Sequence, residues 1–353
     1  MTTDTTAPAK RSHAIIGCGR VAPNHVDGFG QLSGWSVDVA CDRDPAVARF
    51  AAAHGIPRWT QSVRDVLEDP SVGSVSIAVD HAQHGPLVRQ ALQAGKHVLV
   101  EKPICLDRRE ARELVAFAAD RGLVLSTVAQ HRYDPLVLAL RSWVREGLLG
   151  DLVYVTASLQ ARRTNEYYTG SYWRGRRTGE GGSALINQGY HCLDAIRWIC
   201  GDLTVRDAMA SARFLGDALE TEDTIVGLLQ AADVPVTLHV TVAGRVDWRT
   251  RLEVVGGDGT AVIDLDHPGT LHHCAGSADL LRRAELERAR SHEETAPGID
   301  YYGISHRRQI ADFGRAVSTG AAMMVPAAAA ADTLDTVLDL YDQAYASRVP
   351  AAC

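Results

Sequence analysis

Lysine is almost missing from this chain. Of the 36 basic residues among its 353, three are lysines, Lys10, Lys96 and Lys102, and the other 33 are arginines. Where lysine is so strongly avoided, each one needs a reason to be present. A long apolar run is also missing. The longest near-apolar stretch, Ala321 to Ala331, is broken by Pro326, whereas a membrane-crossing helix needs about 20 apolar residues. The first ten residues lack the apolar segment of a signal peptide, and residues 1–11 read as a disordered leader. The seven cysteines, Cys18, Cys41, Cys105, Cys192, Cys200, Cys274 and Cys353, form no CxxC pair. That argues against a disulfide framework and a zinc site, so no metal is expected and a reducing cytoplasm fits. A basic excess is missing as well: the net charge is −7, which excludes a general nucleic-acid binder with a basic stripe. What remains is an ordinary globular composition, 46% hydrophobic and 22% charged, long enough for two domains.

The two domains differ in pattern. From Ser12 to about Val128, apolar runs alternate with Ala-rich helical segments. The runs His13–Gly17, Val37–Cys41, Val75–Val79, His97–Val100 and Val124–Val128 read as buried strands. Pro45–His54, Leu87–Ala94 and Asp107–Arg121 read as the intervening helices. This is the βαβ pattern of a parallel sheet. Beyond a helix at Pro135–Glu146 come longer segments, several of which alternate apolar with polar residues: Leu152–Leu159, Thr224–Gln230, Val236–Val242, Leu252–Val255 and Ala261–Leu265. These read as an open, mostly antiparallel sheet with one wet face. A helix at Gly182–Cys200 interrupts them, and helices near Ser305–Val317 and Ala328–Ala346 close the chain. Leu280–Ser291 reads as a solvated helix. The expected fold class is α/β. A Rossmann domain over 12–130 would precede an α/β domain over 131–353, with a return of the last helices to the first domain left open.

Gly17-Cys18-Gly19-Arg20-Val21-Ala22 directly follows the first strand and opens a helix. This GxGxxA loop reads as a dinucleotide site. Gly17 permits the turn, Gly19 lets backbone approach a pyrophosphate, and Ala22 allows close packing. Asp42 ends the second strand, where a carboxylate binds ribose hydroxyls and repels a 2′-phosphate. NAD is therefore the expected cofactor, with Arg43 beside the ribose.

Glu101-Lys102-Pro103 follows the strand His97–Val100. Ligands of open parallel sheets sit at such carboxyl ends. A lysine there could hold a substrate oxygen as hydride leaves. Lys10 and Lys96 lack this setting and read as surface residues. After Gly181-Gly182, the helix carries Asn187, His191 and Asp194 at spacings of four and three, which places them on one face. His191 titrates near neutrality and suits a general base; a buried structural histidine is the equal alternative.

Together these motifs resemble the Gfo/Idh/MocA family of NAD(P)-dependent sugar dehydrogenases over roughly residues 12–320. The resemblance implies catalysis by Lys102 and His191, with Asn187 orienting the substrate. It implies cofactor contacts from Gly17 through Val21, Asp42, Arg43, Val79, His84, Glu101, Lys102 and Gln130. A closer likeness lies in Arg163-Thr164-Asn165-Glu166-Tyr167-Tyr168, Trp173-Arg174-Gly175, Glu222-Asp223-Thr224 and Tyr302-Gly303-Ile304-Ser305-His306. This set looks like the subgroup that oxidises C3 of a UDP-N-acetylaminoglucuronate before an aminotransferase acts. It implies substrate contacts from Arg132, Arg163, Tyr168, Trp173, Arg174, Asp194 and His306. A homodimer or homotetramer built on the second sheet is implied in the same way.

Two substrate classes stay open. A nucleotide sugar would want arginines, such as Arg132, Arg162, Arg163, Arg174, Arg176 and Arg177. A cationic aminoglycoside would want Glu166, Glu180, Asp194, Glu220, Glu222 and Asp223, and the negative net charge and Asp80 lean mildly that way. In the leading reading, His191 takes the hydroxyl proton and Lys102 holds the oxygen. An NADPH-dependent keto-sugar reductase is the alternative, which Asp42 disfavours. A non-catalytic NAD-binding regulator is another, which Lys102 and His191 disfavour.

Overall fold

Buried apolar runs make the first sheet. The computed structural model describes residues 10–266, 269–293 and 303–346. The proposed leader lies outside them except for Lys10 and Arg11, as do Tyr302 and Cys353. The first domain runs β1 (Arg11–Ile16), α1 (Ala22–Gly30), β2 (Trp35–Cys41), α2 (Val47–Ala53), β3 (Arg58–Thr60), α3 (Val63–Glu68), β4 (Val72–Ile77), α4 (His81–Gln93), β5 (His97–Val100), α5 (Arg108–Asp120) and β6 (Leu125–Thr127). Its six strands are all parallel, in the order β3-β2-β1-β4-β5-β6. The order reverses beside β1, so the crevice for a ligand opens at the carboxyl ends of β1 and β4. In β1, Ser12 through Ile16 are all buried, and α5 is capped by Asp107, which accepts from Glu110 N at 2.8 Å.

A short 3₁₀ turn, Gln130–Tyr133, and α6 (Pro135–Arg145) lead into the second domain. It continues with β7 (Leu152–Arg162), α7 (Asn165–Thr169), a π turn at Ala184–Gly189, α8 (Tyr190–Cys200), β8 (Leu203–Ser211), β9 (Thr224–Ala231), β10 (Val234–Thr241), β11 (Ala243–Gly256), β12 (Thr260–Ile263), β13 (Leu271–Ala275) and α9 (Ala278–Glu293). The sheet order is β13-β12-β11-β7-β10-β9-β8, antiparallel except where β10 meets β7. Alternation sorts its faces. In β10, Val236, Leu238 and Val240 are buried, while Pro235 and His239 between and beside them are exposed. The buried face packs under α6 and α8 in one core with Leu140, Leu193 and Ile196.

The last helices, α10 (Gly303–Thr319) and α11 (Ala327–Ala346), return to the first domain. Phe313 of α10 stacks edge-on against Phe29 of α1, and Ser126 Oγ donates to Val325 O at 2.8 Å. Three readings need correction. Lys96 is buried rather than superficial: its ammonium donates to the carbonyls of Asp69 at 2.7 Å and Val72 at 2.8 Å. α9 is solvated on one face only, because Leu280 and Ala284 are buried in the second core. The helix read as continuous from Gly182 to Cys200 is a π turn followed by an α-helix.

Candidate active site

A cavity of about 1010 Å³ lies between the two sheets, room for a dinucleotide together with a sugar. Its first-domain wall holds Gly17, Cys18, Gly19, Arg20, Val21, Asp42, Arg43, Val79, His84, Glu101, Lys102 and Gln130. Its second-domain wall holds Arg162, Arg163, Tyr167, Tyr172, Trp173, Arg174, Asn187, Gln188, His191 and His306.

The loop after β1 fits a dinucleotide. Gly17 has φ of +93°, and a Cβ there would sit 2.3 Å from Ala78 O, so no other residue fits. A Cβ on Gly19 would meet nothing within 4 Å, which leaves an open cradle. No side chain caps the start of α1; Ala22 N and Asn24 N turn back to Gly19 O at 3.2 Å and Val21 O at 3.0 Å, so an anion would be met by the loop backbone just ahead of the helix, at its positive end. Asp42 Oδ2 accepts from Cys18 N at 2.7 Å and Oδ1 from Asp44 N at 2.9 Å. These bonds fix the carboxylate beside the loop. Gln130 is fully buried on the cavity wall, and neither its amide oxygen nor its nitrogen has a partner among the described residues. An orphaned amide facing the cavity is what a polar cofactor or substrate group would satisfy.

Lys102 follows β5, and a cis Lys102–Pro103 bond turns the chain there. Its ammonium donates to Asn187 O at 2.7 Å and to Asn187 Oδ1 at 3.0 Å. Two of its three donors are so used, leaving one for the cavity. Burial brings its pKa down to about 8, against the pull of Glu101 and Glu180 in the other direction. Glu101, next to it, is buried too. Burial pushes its carboxyl up, but hydrogen bonds from His25 and His306 hold it well below the usual range. His25 Nε2 lies 3.1 Å from Glu101 Oε1, and His306 Nε2 lies 3.5 Å from it. Behind them Ser76 Oγ joins His25 and His13 at 2.9 Å each. His84 serves the same loop: its Nδ1 donates to Pro103 O at 2.6 Å, and Nε2 lies 3.2 Å from Val79 O.

His191 stands at the start of α8, its ring 4.9 Å from that of His131. Burial, then the charges of His131 and Lys102, pulls its pKa well below the usual imidazole range. Asn187 sits on the π turn just before. Glu222 supports that turn: its Oε1 accepts from Ser183 N at 3.2 Å, Leu185 N at 2.9 Å and Tyr341 Oη at 2.8 Å.

Three expected substrate residues lie elsewhere. Asp194 lies three residues beyond His191 on α8, about 4.5 Å further along the helix axis. It holds Arg132 through two bonds, Nε to Oδ2 at 2.7 Å and Nη2 to Oδ1 at 2.6 Å. Both side chains are buried, and Thr333 Oγ1 also donates to Asp194 at 2.9 Å. The third, Tyr168, is buried in the second core, where its hydroxyl accepts from Ser183 Oγ at 2.9 Å. These three are scaffold. The six acids expected to meet a cation also stand off the cavity wall. Glu220 pairs with Arg176 at 3.0 Å, and Asp223 Oδ2 accepts from Phe214 N at 2.7 Å.

Other wall residues carried no sequence signal. Tyr172 donates to Asp80, and its ring lies 4.5 Å from the Arg43 guanidinium carbon, a strap from the second domain across the first. Asp247 reaches the cavity because β11 bulges between Ala243 and Trp248 against β7.

Two family models match the chain. One, described as an oxidoreductase family with an NAD-binding Rossmann fold, covers residues 11–129; the other, the GFO/IDH/MocA C-terminal domain, covers 137–262. A D-apiose dehydrogenase from Paraburkholderia graminis is 29% identical over 280 residues, 77% of this chain and 73% of that one. A trans-1,2-dihydrobenzene-1,2-diol dehydrogenase from Bos taurus is 34% identical over 183 residues, about half of each chain (51% and 52%). Among solved structures, the WlbA dehydrogenase from Bordetella pertussis, in complex with NADH and UDP-GlcNAcA, superposes with a TM-score of 0.85 at 21% identity over 97% of both chains. GenD2 from gentamicin A biosynthesis, in complex with NAD, gives 0.79 at 24% identity over 99% of this chain and 98% of that one.

Proposed function

Because the chain belongs to the Gfo/Idh/MocA family of NAD-binding oxidoreductases, we propose that it oxidises a ring secondary alcohol of an anionic pyranose to the ketone. One observation carries the reading: Lys102, His191 and the Arg163–Arg174 pair converge on the cavity that the dinucleotide loop also lines. Bound NAD supplies the hydride acceptor. The residues that would hold it are Gly17 to Val21, Asp42, Arg43 and Gln130.

Proton transfer falls to Lys102. A general base works best with a pKa near the operating pH. Lys102 comes down to about 8, whereas His191 is pulled well below neutrality. The neutral amine takes the hydroxyl proton. His191, as a neutral imidazole, hydrogen-bonds the same hydroxyl and orients it. This reverses the assignment drawn from titration range alone.

The anion is read from the second-domain wall. Arg174 lies over the rings of Tyr167 at 4.7 Å and Trp173 at 5.0 Å, and Arg163 over Tyr167 at 5.2 Å. Arg163 donates through Nη1 to Arg162 O at 3.0 Å and through Nη2 to Gln188 Oε1 at 3.3 Å, while the Nε of each arginine is buried without a partner among the described residues. A carboxylate or phosphate satisfies such donors, which favours a sugar acid or nucleotide-linked sugar. Asp247 favours the second reading, a cationic amino sugar. Oxidation at C3 and consumption of the ketone by an aminotransferase rest on the motif likeness. The exposed face of the second sheet, with Met209 and Leu228, is where a second copy would pack into a dimer or tetramer. The six described cysteines are free.

The experiment is NAD reduction, followed by near-ultraviolet absorbance, with uronate-bearing nucleotide sugars and aminoglycosides in parallel. Reduction with the anionic set is expected. Reduction with the cationic set alone would overturn the substrate class. Oxidation of NADPH by a keto-sugar with no NAD reduction would overturn the direction.

A further inference from the structure

Glu180 is a fully buried carboxylate in the loop ahead of the π turn, and it is absent from the cavity wall. Both its oxygens are engaged. Oε2 accepts from Gly175 N at 2.6 Å and Oε1 from Asn187 Nδ2 at 2.5 Å. The other end of the Asn187 amide, Oδ1, accepts from Lys102 Nζ at 3.0 Å. We propose that Glu180 is a positioning residue for the reaction: it turns the Asn187 amide so that its oxygen faces Lys102, and it places the balancing negative charge one side chain behind the amine.

Donors and acceptors fix the arrangement. A carboxylate only accepts, so the end of Asn187 that faces Glu180 must be the NH₂. The end that faces Lys102 is then the oxygen, the partner that an ammonium needs. Replace Glu180 by Gln and one of two donors, Gly175 N–H or Asn187 Nδ2–H, meets another donor. The amide then loses its fixed orientation. Charge adds to geometry. Glu180 is drawn up to about 7 by burial, with Glu222 adding to the rise and Lys102 opposing it. Lys102 feels Glu101, Glu180 and Arg174, and its own charge acts on His81, His84 and His191. Each of the two buried groups therefore feels the other's charge, and removing the carboxylate removes one of the charges that hold the amine's pKa up.

The proposal rests on the reading of Lys102 as the proton acceptor, and the scarcity of lysine supplies an assay independent of turnover. With carbon-13 at Cε of lysine, the protein shows three resonances to assign, and Lys102→Met identifies the one of interest. In the wild type that resonance should titrate near pH 8. In Glu180→Gln its midpoint should fall by about one pH unit, as an opposite charge and an acceptor are lost; the rising limb of oxidation should move to lower pH with it, while kcat on the plateau falls because the amine is a weaker base and its amide partner has lost its orientation. The double variant Glu180→Gln/Asn187→Asp puts a carboxylate directly against the amine and should raise the midpoint again. An unchanged midpoint in a folded Glu180→Gln protein overturns the proposal. If that variant does not fold, Glu180→Asp takes its place: a lowered midpoint supports the proposal and an unchanged one overturns it. A wild-type midpoint near the ordinary lysine value would sink the base assignment for Lys102, while the response to Glu180 would still be read on the same resonance.

Discussion

Asp194→Asn separates scaffold from site. Asp194 and Arg132 are both charged residues in motif segments, and both were expected to touch substrate. The structure joins them as a two-bond ion pair with 4% and 3% of the side chains exposed. The isosteric amide keeps the volume but removes the charge and turns a donor toward the guanidinium. Breaking a buried pair from one side costs about 3–5 kcal/mol, because the surviving charge stays desolvated. The entropy of unfolding is about 2.1 cal/mol/K per residue, roughly 0.7 kcal/mol/K for this chain. The melting temperature should therefore drop by about 4–7 °C. Thr333, which also donates to Asp194, adds to the loss. Thermal melts give the shift. KM for NAD and for sugar, measured well below the transition, should stay within about twofold, a change of under half a kcal/mol. Arg132→Met/Asp194→Leu should cost less than the sum of its single changes, since no charge is left buried. A variant of wild-type stability with a sharply raised KM for sugar would refute the reasoning and return Asp194 to the substrate.

Gly19→Ala adds a methyl where the protein itself offers 4 Å of clear space, so the apo protein should melt unchanged while NAD titration shows at least about tenfold weaker binding; unchanged binding would remove the cradle. Gly17→Ala should damage fold and binding together, through its clash with Ala78 O and its positive φ, seen as a lower melting temperature and weaker NAD binding. Arg174→Met should raise KM for an anionic sugar by about 10- to 100-fold, the worth of a charged hydrogen bond, with KM for NAD unaltered; an unchanged sugar KM would place the anion elsewhere.

Much of the first domain was legible because its strands are buried on both faces. Runs such as Val98–Val100 have nothing but apolar residues to show. The glycine loop and Lys102 were legible for another reason: rare residue types stood at strand ends, where open parallel sheets bind ligands. The misses have physical causes. Arg58–Thr60 is an exposed edge strand of three residues with no apolar face. Leu203–Ser211 alternates only weakly because Arg206 and Asp207 are adjacent and both exposed. The placement of Glu180, named from the sequence only as an acid for a cation, depends on burial by distant segments, and that of Asp247 on a bulge. Local pattern carries neither. Arg132, Asp194 and Tyr168 were overread because a polar group near a motif looks the same whether it meets substrate or another buried group.

The central claim is that Lys102 takes the proton as a sugar alcohol is oxidised with NAD. The direct measurement is the pH profile of kcat/KM for NAD reduction in wild type and in Lys102→Met, with NAD affinity measured on both. The amine must be neutral, so oxidation by wild type should rise about tenfold per pH unit and level off above its pKa of about 8. Lys102→Met should lose that limb and about 100- to 10,000-fold in rate, the worth of a general base, while NAD affinity holds. A Lys102→Met protein that keeps the limb and more than about a tenth of the rate, a loss of under 1.4 kcal/mol, would contradict it.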